Sequence, residues 1–183
     1  MVFAALLLIF LFFFPIWKIS LYAPQYPQGI SMYIWINKIT GETPGTLQNI
    51  NILNHYVGMK IIEPDSIPEL RYFQFVIMGM GLLALIMAWI DRKPLYLAWV
   101  VLFVILGALA IYDFYLWEYD YGHNLSPTAP IKVPGMAYQP PLFGRKELLN
   151  FVAYSYPNWG SLFFGLSILS GFLAFRTSRR SPR

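Results

Sequence analysis

Cysteine is absent from the 183 residues. That excludes disulfides, thiolate metal clusters, a dinuclear copper centre built on two thiolates and covalent haem attachment through Cys-x-x-Cys-His. Any metal is left to His, Met, Asp and Glu. Charge is scarce too: Asp, Glu, Lys and Arg make up 12% of the chain, about half the share of a soluble domain. The catalytic templates are also missing, since there is no Gly-x-Ser-x-Gly, no Walker loop, no His-Glu-x-x-His and no dinucleotide fingerprint. With no acid–base or nucleophile constellation in view, the expectation is a protein that is not an enzyme. No internal repeat with a period of about 20 to 50 residues is present.

Apolar sequence is plentiful: 57% of the residues are hydrophobic and 19% aromatic. They fall into four long runs, residues 2–22, 73–90, 94–117 and 159–175. Each approaches the roughly 20 residues that cross about 30 Å of hydrocarbon at about 1.5 Å per residue. The first, interrupted only by Pro15 and Lys18, has no basic n-region and no small-x-small cleavage site, so it reads as an uncleaved anchor. The expected fold class is an all-α transmembrane four-helix bundle, a single integral membrane domain over residues 1–183. Two long loops, 23–72 and 118–158, form a small extracytoplasmic α+β cap on it.

Orientation follows from the basic residues, which resist translocation when they lie in short segments. The turn 91–93 holds Arg92 and Lys93, and the tail 176–183 holds Arg176, Arg179, Arg180 and Arg183. Both ends of the chain are therefore expected in the cytoplasm, with the long loops facing outward. The net charge of +4 is read as topology; the expected partner is membrane lipid, not nucleic acid. Tyr112, Tyr115, Trp117, Tyr119, Tyr154, Tyr156 and Trp159 crowd the outer ends of spans three and four, as an interfacial belt would. Ser161 with Gly165, and Ser167 with Gly171, are small residues four apart that let helices approach closely.

The loops have the patterning of folded structure. Residues 30–39 (ISMYIWINKI) read as a strand ending at Thr40-Gly41-Glu42. Thr46 is a candidate N-cap for a helix carrying Leu47, Ile50, Leu53 and Val57 and stopped by Gly58. In the second loop, SPTAPIKVPGMAYQPP reads as extended and KELLNFVAY as a short amphipathic helix.

The only two histidines, His55 and His123, both lie in the expected cap. His55 and Met59 are four apart, and thioether with imidazole suits copper, the sulfur favouring Cu(I). His123 with Asp120 or Glu118 would complete a three- or four-ligand site, and Met32 and Met136 are further sulfurs within the loops. The metal expectation therefore rests on His55, Met59, His123 and Asp120, with copper as cofactor. The competing reading is that a lone loop histidine serves as a hydrogen-bonding or surface residue. Asp113 lies just inside the outer end of span three, where a charge is costly. It reads either as part of a metal or proton entry route or as a helix anchor bonded to a neighbouring Tyr or to Lys18.

Three stretches, Ala23-Pro24-Gln25-Tyr26-Pro27-Gln28-Gly29, Asn51-Ile52-Leu53-Asn54-His55-Tyr56-Val57-Gly58-Met59 and Tyr119-Asp120-Tyr121-Gly122-His123-Asn124-Leu125, carry a resemblance over most of the chain. Together they resemble a family of small four-span bacterial inner-membrane proteins encoded beside copper-handling and nitrous-oxide-respiration genes. The resemblance implies a copper-related setting in the cell envelope, with His55, Met59 and His123 as the matching positions, and no settled activity. Two functions are expected from this. One is a non-catalytic protein whose periplasmic cap binds copper for handling or for delivery to a respiratory enzyme. The other is a structural accessory subunit of a respiratory complex, without a metal, whose aromatic and proline-rich loops contact a protein partner.

Overall fold

The computed structural model describes residues 1–178, so Arg179, Arg180 and Arg183 of the basic tail lie outside the described residues. These residues form five α-helices and five strands. The helices are α1 (Val2–Ile9), α2 (Thr46–Val57), α3 (Pro68–Ile90), α4 (Lys93–His123) and α5 (Trp159–Thr177). The strands are β1 (Trp17–Ala23), β2 (Tyr26–Ile34), β3 (Ile39–Gly41), β4 (Gly144–Leu148) and β5 (Phe151–Pro157). The strands form one antiparallel sheet in the order β3-β2-β1-β5-β4. The fold is therefore mixed helix and sheet, and the expected all-α four-helix bundle is incorrect.

The first apolar run is where that expectation breaks. α1 and a three-residue 3-10 turn (Phe10–Phe12) end before Pro15, about half the length needed to cross a bilayer. Pro15 has no N–H to continue a helix. Beyond it, Trp17, Ile19 and Leu21 alternate with Lys18, Ser20 and Tyr22, a period of two that puts alternate residues on opposite faces. The run thus becomes the central strand, paired with β2 on one side and β5 on the other. Among the described residues three helices, α3, α4 and α5, are long and apolar enough to span a membrane, which marks a membrane protein with three span-length helices there in place of the expected four.

The expected helix over KELLNFVAY is a β4–β5 hairpin. Leu148 pairs with Phe151, and Leu149 holds φ 57° in the two-residue turn between them. This is the αL geometry that tight hairpins need, taken here by a residue that seldom adopts it. Other expectations hold. α2 stops at Gly58 with φ 82°, although its N-cap is Gly45, and Thr46 is its first helical residue. α5 matches its expected run closely. α3 begins five residues before the expected start, and α4 continues six residues past the expected end of its span.

Two cores stack along the molecule. The membrane-level core joins Ala4, Leu8 and Leu11 of the N-terminal helix with Ile77, Met80, Trp99 and Phe103. Ser167 donates to the Ala4 carbonyl at 2.8 Å, and a Cβ on Gly171 would sit 2.9 Å from the Trp99 ring, so this small-residue pair does pack against neighbours. Ser161 is likewise bonded, to the Ile16 carbonyl, whereas Gly165 has nothing within 4 Å. The cap core joins Ile19 and Met32 of the sheet to Ile50, Ile62, Leu70 and Tyr121. α4 links the two. At about 1.5 Å per residue its 31 residues run some 46 Å, well past about 30 Å of hydrocarbon, so its last two turns stand in the cap. At the far end Lys93 Nζ sits 5.1 Å over the Phe175 ring, which brings Arg92, Lys93 and Arg176 to one level opposite the cap.

Candidate metal centre

Of the four expected ligands, three are directed elsewhere. His55 is exposed near the end of α2, its ring 6.3 Å from that of Tyr56. His123 is exposed at the end of α4, where its Nδ1 lies 3.0 Å from the Tyr119 carbonyl and its ring stacks on that of Tyr119 at 3.9 Å. Asp120 accepts from Lys60 Nζ at 2.6 Å and also from the Asn124 amide. Among the described residues no three His, Cys, Asp or Glu side chains come together as a metal-holding group.

Met59 goes the other way, and the motif around it explains why. Gly58 takes φ 82°, and a Cβ there would meet Ala129 at 2.8 Å; glycine satisfies both the left-handed turn and the close approach. The chain then doubles back along α2. Asn51 Oδ1 accepts from the Ile62 N–H at 2.7 Å, and its amide donates to the Ile62 carbonyl at 3.1 Å. The Asn54 amide donates to the Lys60 carbonyl at 3.4 Å, and the Met59 N–H donates to the Asn54 carbonyl at 2.9 Å. The element NxxNHYxGM is thus a device that docks residues 59–62 on α2, leaving His55 outside and turning Met59 inward. Asn51→Ala should destabilise the cap by about 1–3 kcal/mol, because it strands two backbone groups that a side chain now satisfies. Faster amide hydrogen exchange at Ile62 than in the unsubstituted protein would register it, and unchanged exchange would show that the bridge is dispensable.

Met59 lines a cavity of about 40 Å³ enclosed by the sheet, α2, the end of α4 and the segment carrying Tyr138. Met32, on the inner face of β2, supplies a second thioether. Glu118 is fully buried at its wall, and neither carboxylate oxygen has a hydrogen-bond partner. Trp117 Nε1 and the Tyr138 hydroxyl, on the same wall, are also unpartnered. Four orphaned polar atoms around one space run against the general rule that buried polar groups are paired. The volume suffices for a water or an ion. Burial pushes the Glu118 carboxyl up to about 8, offset only in part by the Lys146 ammonium, the charged side chain whose field reaches it. That ammonium is itself 2.9 Å from the Gln139 carbonyl.

No protein-family model, curated protein or solved structure matches this chain. The site therefore stands on its own chemistry: two soft sulfur donors and one carboxylate without a partner, in a closed apolar setting. In the sequence Glu118 stands as the alternative to Asp120 beside His123 and as an acid within the aromatic stripe Phe114, Trp117, Tyr121, at helical spacing. His55, His123 and Asp120 do not line the cavity.

Proposed function

We propose that this is a non-catalytic membrane protein whose cap faces the bacterial periplasm and holds copper(I) between Met32, Met59 and Glu118, for handling the ion or passing it to a respiratory enzyme. The observation that carries the reading is the buried carboxylate, with both oxygens unpaired, on the wall of a small cavity shared with two thioethers. Thioethers select Cu(I) over harder ions. A monovalent ion also matches one carboxylate, whereas a divalent one would leave net charge buried, which is expensive. The cluster of Arg92, Lys93 and Arg176 at the end opposite the cap supports the periplasmic assignment.

Titrating the detergent-purified protein anaerobically with Cu(I) against a chromophoric chelator tests this. One ion per chain is expected. Met32→Leu, Met59→Leu and Glu118→Gln, which nearly keep volume, should each weaken binding at least about tenfold, or about 1.4 kcal/mol. His55→Ala with His123→Ala should leave it within about twofold. No binding by the unsubstituted protein, or a loss confined to the histidine pair, overturns the cavity site. The competing reading, a structural accessory subunit without a metal, draws on the largely outward-facing surfaces of α3, α4 and α5. It calls for co-purification with a larger assembly and no stoichiometric copper.

A further inference from the structure

A second, larger cavity of about 200 Å³ lies between α3 and α4 where the helices meet the sheet. The helices are joined by a tight turn at Asp91 and Arg92, and the cavity sits at the opposite end, walled by Phe73 of α3 and Phe114 of α4. Trp17 of β1 and Trp35, just past β2, close it from the sheet side. Its polar groups are unusual in kind. The Trp17 indole donates to Ser155, the Trp35 indole to Thr40, and the Ser161 hydroxyl to Ile16, so these donors are already used. Of the acceptors, Glu69 on α3 and Asp113 on α4 remain, both on the wall of the same space. Among the described residues neither carboxylate has a hydrogen bond or an ion pair, and the anchoring bond from Asp113 to a Tyr or Lys18 is not made. Lys18 lies over the Tyr33 ring instead, at 5.3 Å.

An aromatic cavity whose free hydrogen-bond acceptors are two carboxylates, with no Lys or Arg on its walls, is complementary to one class of ligand. We propose that it binds a lipid-soluble ammonium ion, with the cationic head between Glu69 and Asp113 and the apolar body against the tryptophan and phenylalanine rings. Indole and phenyl faces attract a desolvated ammonium, and a carboxylate inside the end of a span, as at Asp113, needs a counter-charge. The volume exceeds the roughly 150 Å³ of an engineered cavity that admits benzene, enough for a single ring bearing a trimethylammonium group. A phospholipid head fits less well, because its phosphate would face two acids without a base. The site shares the Trp117 wall with the copper cavity but does not depend on that reading.

Benzyltrimethylammonium and its uncharged isostere neopentylbenzene test the proposal on the unsubstituted protein in dodecyl maltoside micelles, which carry no ammonium group, by titration of tryptophan fluorescence. The cation should bind at least tenfold more tightly than the isostere. Glu69→Gln with Asp113→Asn should abolish that preference while leaving Cu(I) affinity in the cap unchanged. Equal binding of the two probes overturns the proposal, and needs no variant to fold. Displacement of the cation by added phosphatidylethanolamine would also overturn it, since the natural occupant would then be a phospholipid head.

Discussion

Gly122→Ala should destabilise the protein by about 2 kcal/mol or more. The added Cβ would stand 2.3 Å from both the Cα and the backbone nitrogen of Gln139, and no change of rotamer moves a backbone away. Overpacking in a filled core costs about 1–3 kcal/mol, and more where the neighbour is rigid. The gain in helix propensity from glycine to alanine, about 1 kcal/mol, opposes it and is smaller. The contact is tight for a reason: the Tyr138 N–H donates to the Gly122 carbonyl at 2.9 Å, tying the segment after α4 to the helix that carries Glu118. Gly79 is the control. It lies in α3 with nothing within 4 Å of a Cβ, so Gly79→Ala should be neutral or stabilising by up to about 1 kcal/mol. Thermal unfolding in detergent should move in opposite directions for the two variants. Matching shifts would mean that the 136–141 segment yields freely.

Trp99→Ala should cost about 3 kcal/mol through a different mechanism. Trp99 is fully buried at membrane level, its indole donating to the Met80 carbonyl at 2.9 Å and its ring 5.0 Å from that of Phe103. In a water-soluble core the loss of such a residue costs about 3–5 kcal/mol. In lipid the hydrophobic share is smaller, because the unpacked helix already lies among apolar tails, so the penalty falls on lost packing and the lost bond. Trp99→Phe keeps most of the ring and gives up a bond worth about 1 kcal/mol. Resistance to unfolding by sodium dodecyl sulfate should therefore fall in the order wild type, Trp99→Phe, Trp99→Ala. A phenylalanine variant as weak as the alanine one would transfer the main role from packing to the indole bond.

The parts of the fold legible in the sequence are those governed by one strong local term. Long apolar length marks α3, α4 and α5, and Gly58 marks the end of α2, because bilayer thickness and the left-handed cap each admit few alternatives. What stayed hidden depends on distant partners. Residues 17–23 carry enough hydrophobicity to extend the first apolar run, which masks the two-residue alternation that pairing with β2 and β5 exploits. Leu149 turns a hairpin without the glycine or asparagine that would announce it. The candidate site shows the same division. Met59 and Met32 were visible as sulfurs, but the choice of Glu118 over Asp120 turns on Lys60, 60 residues away, which occupies Asp120 and leaves Glu118 alone.

The sheet order also sets a timetable for synthesis. β1 takes its second neighbour from β5, and Trp17 is bonded to Ser155 across 138 residues of sequence. At about 5–20 residues per second, roughly 7 to 28 s separate the emergence of the two strands. Throughout that interval the β5-facing edge of β1 has no partner, while the α3–α4 pair is translated before β5 exists. The cap cavity, walled in part by β5, the end of α4 and the Tyr138 segment, is complete only once β5 has been made, so a ligand held there arrives after the α3–α4 hairpin has been translated.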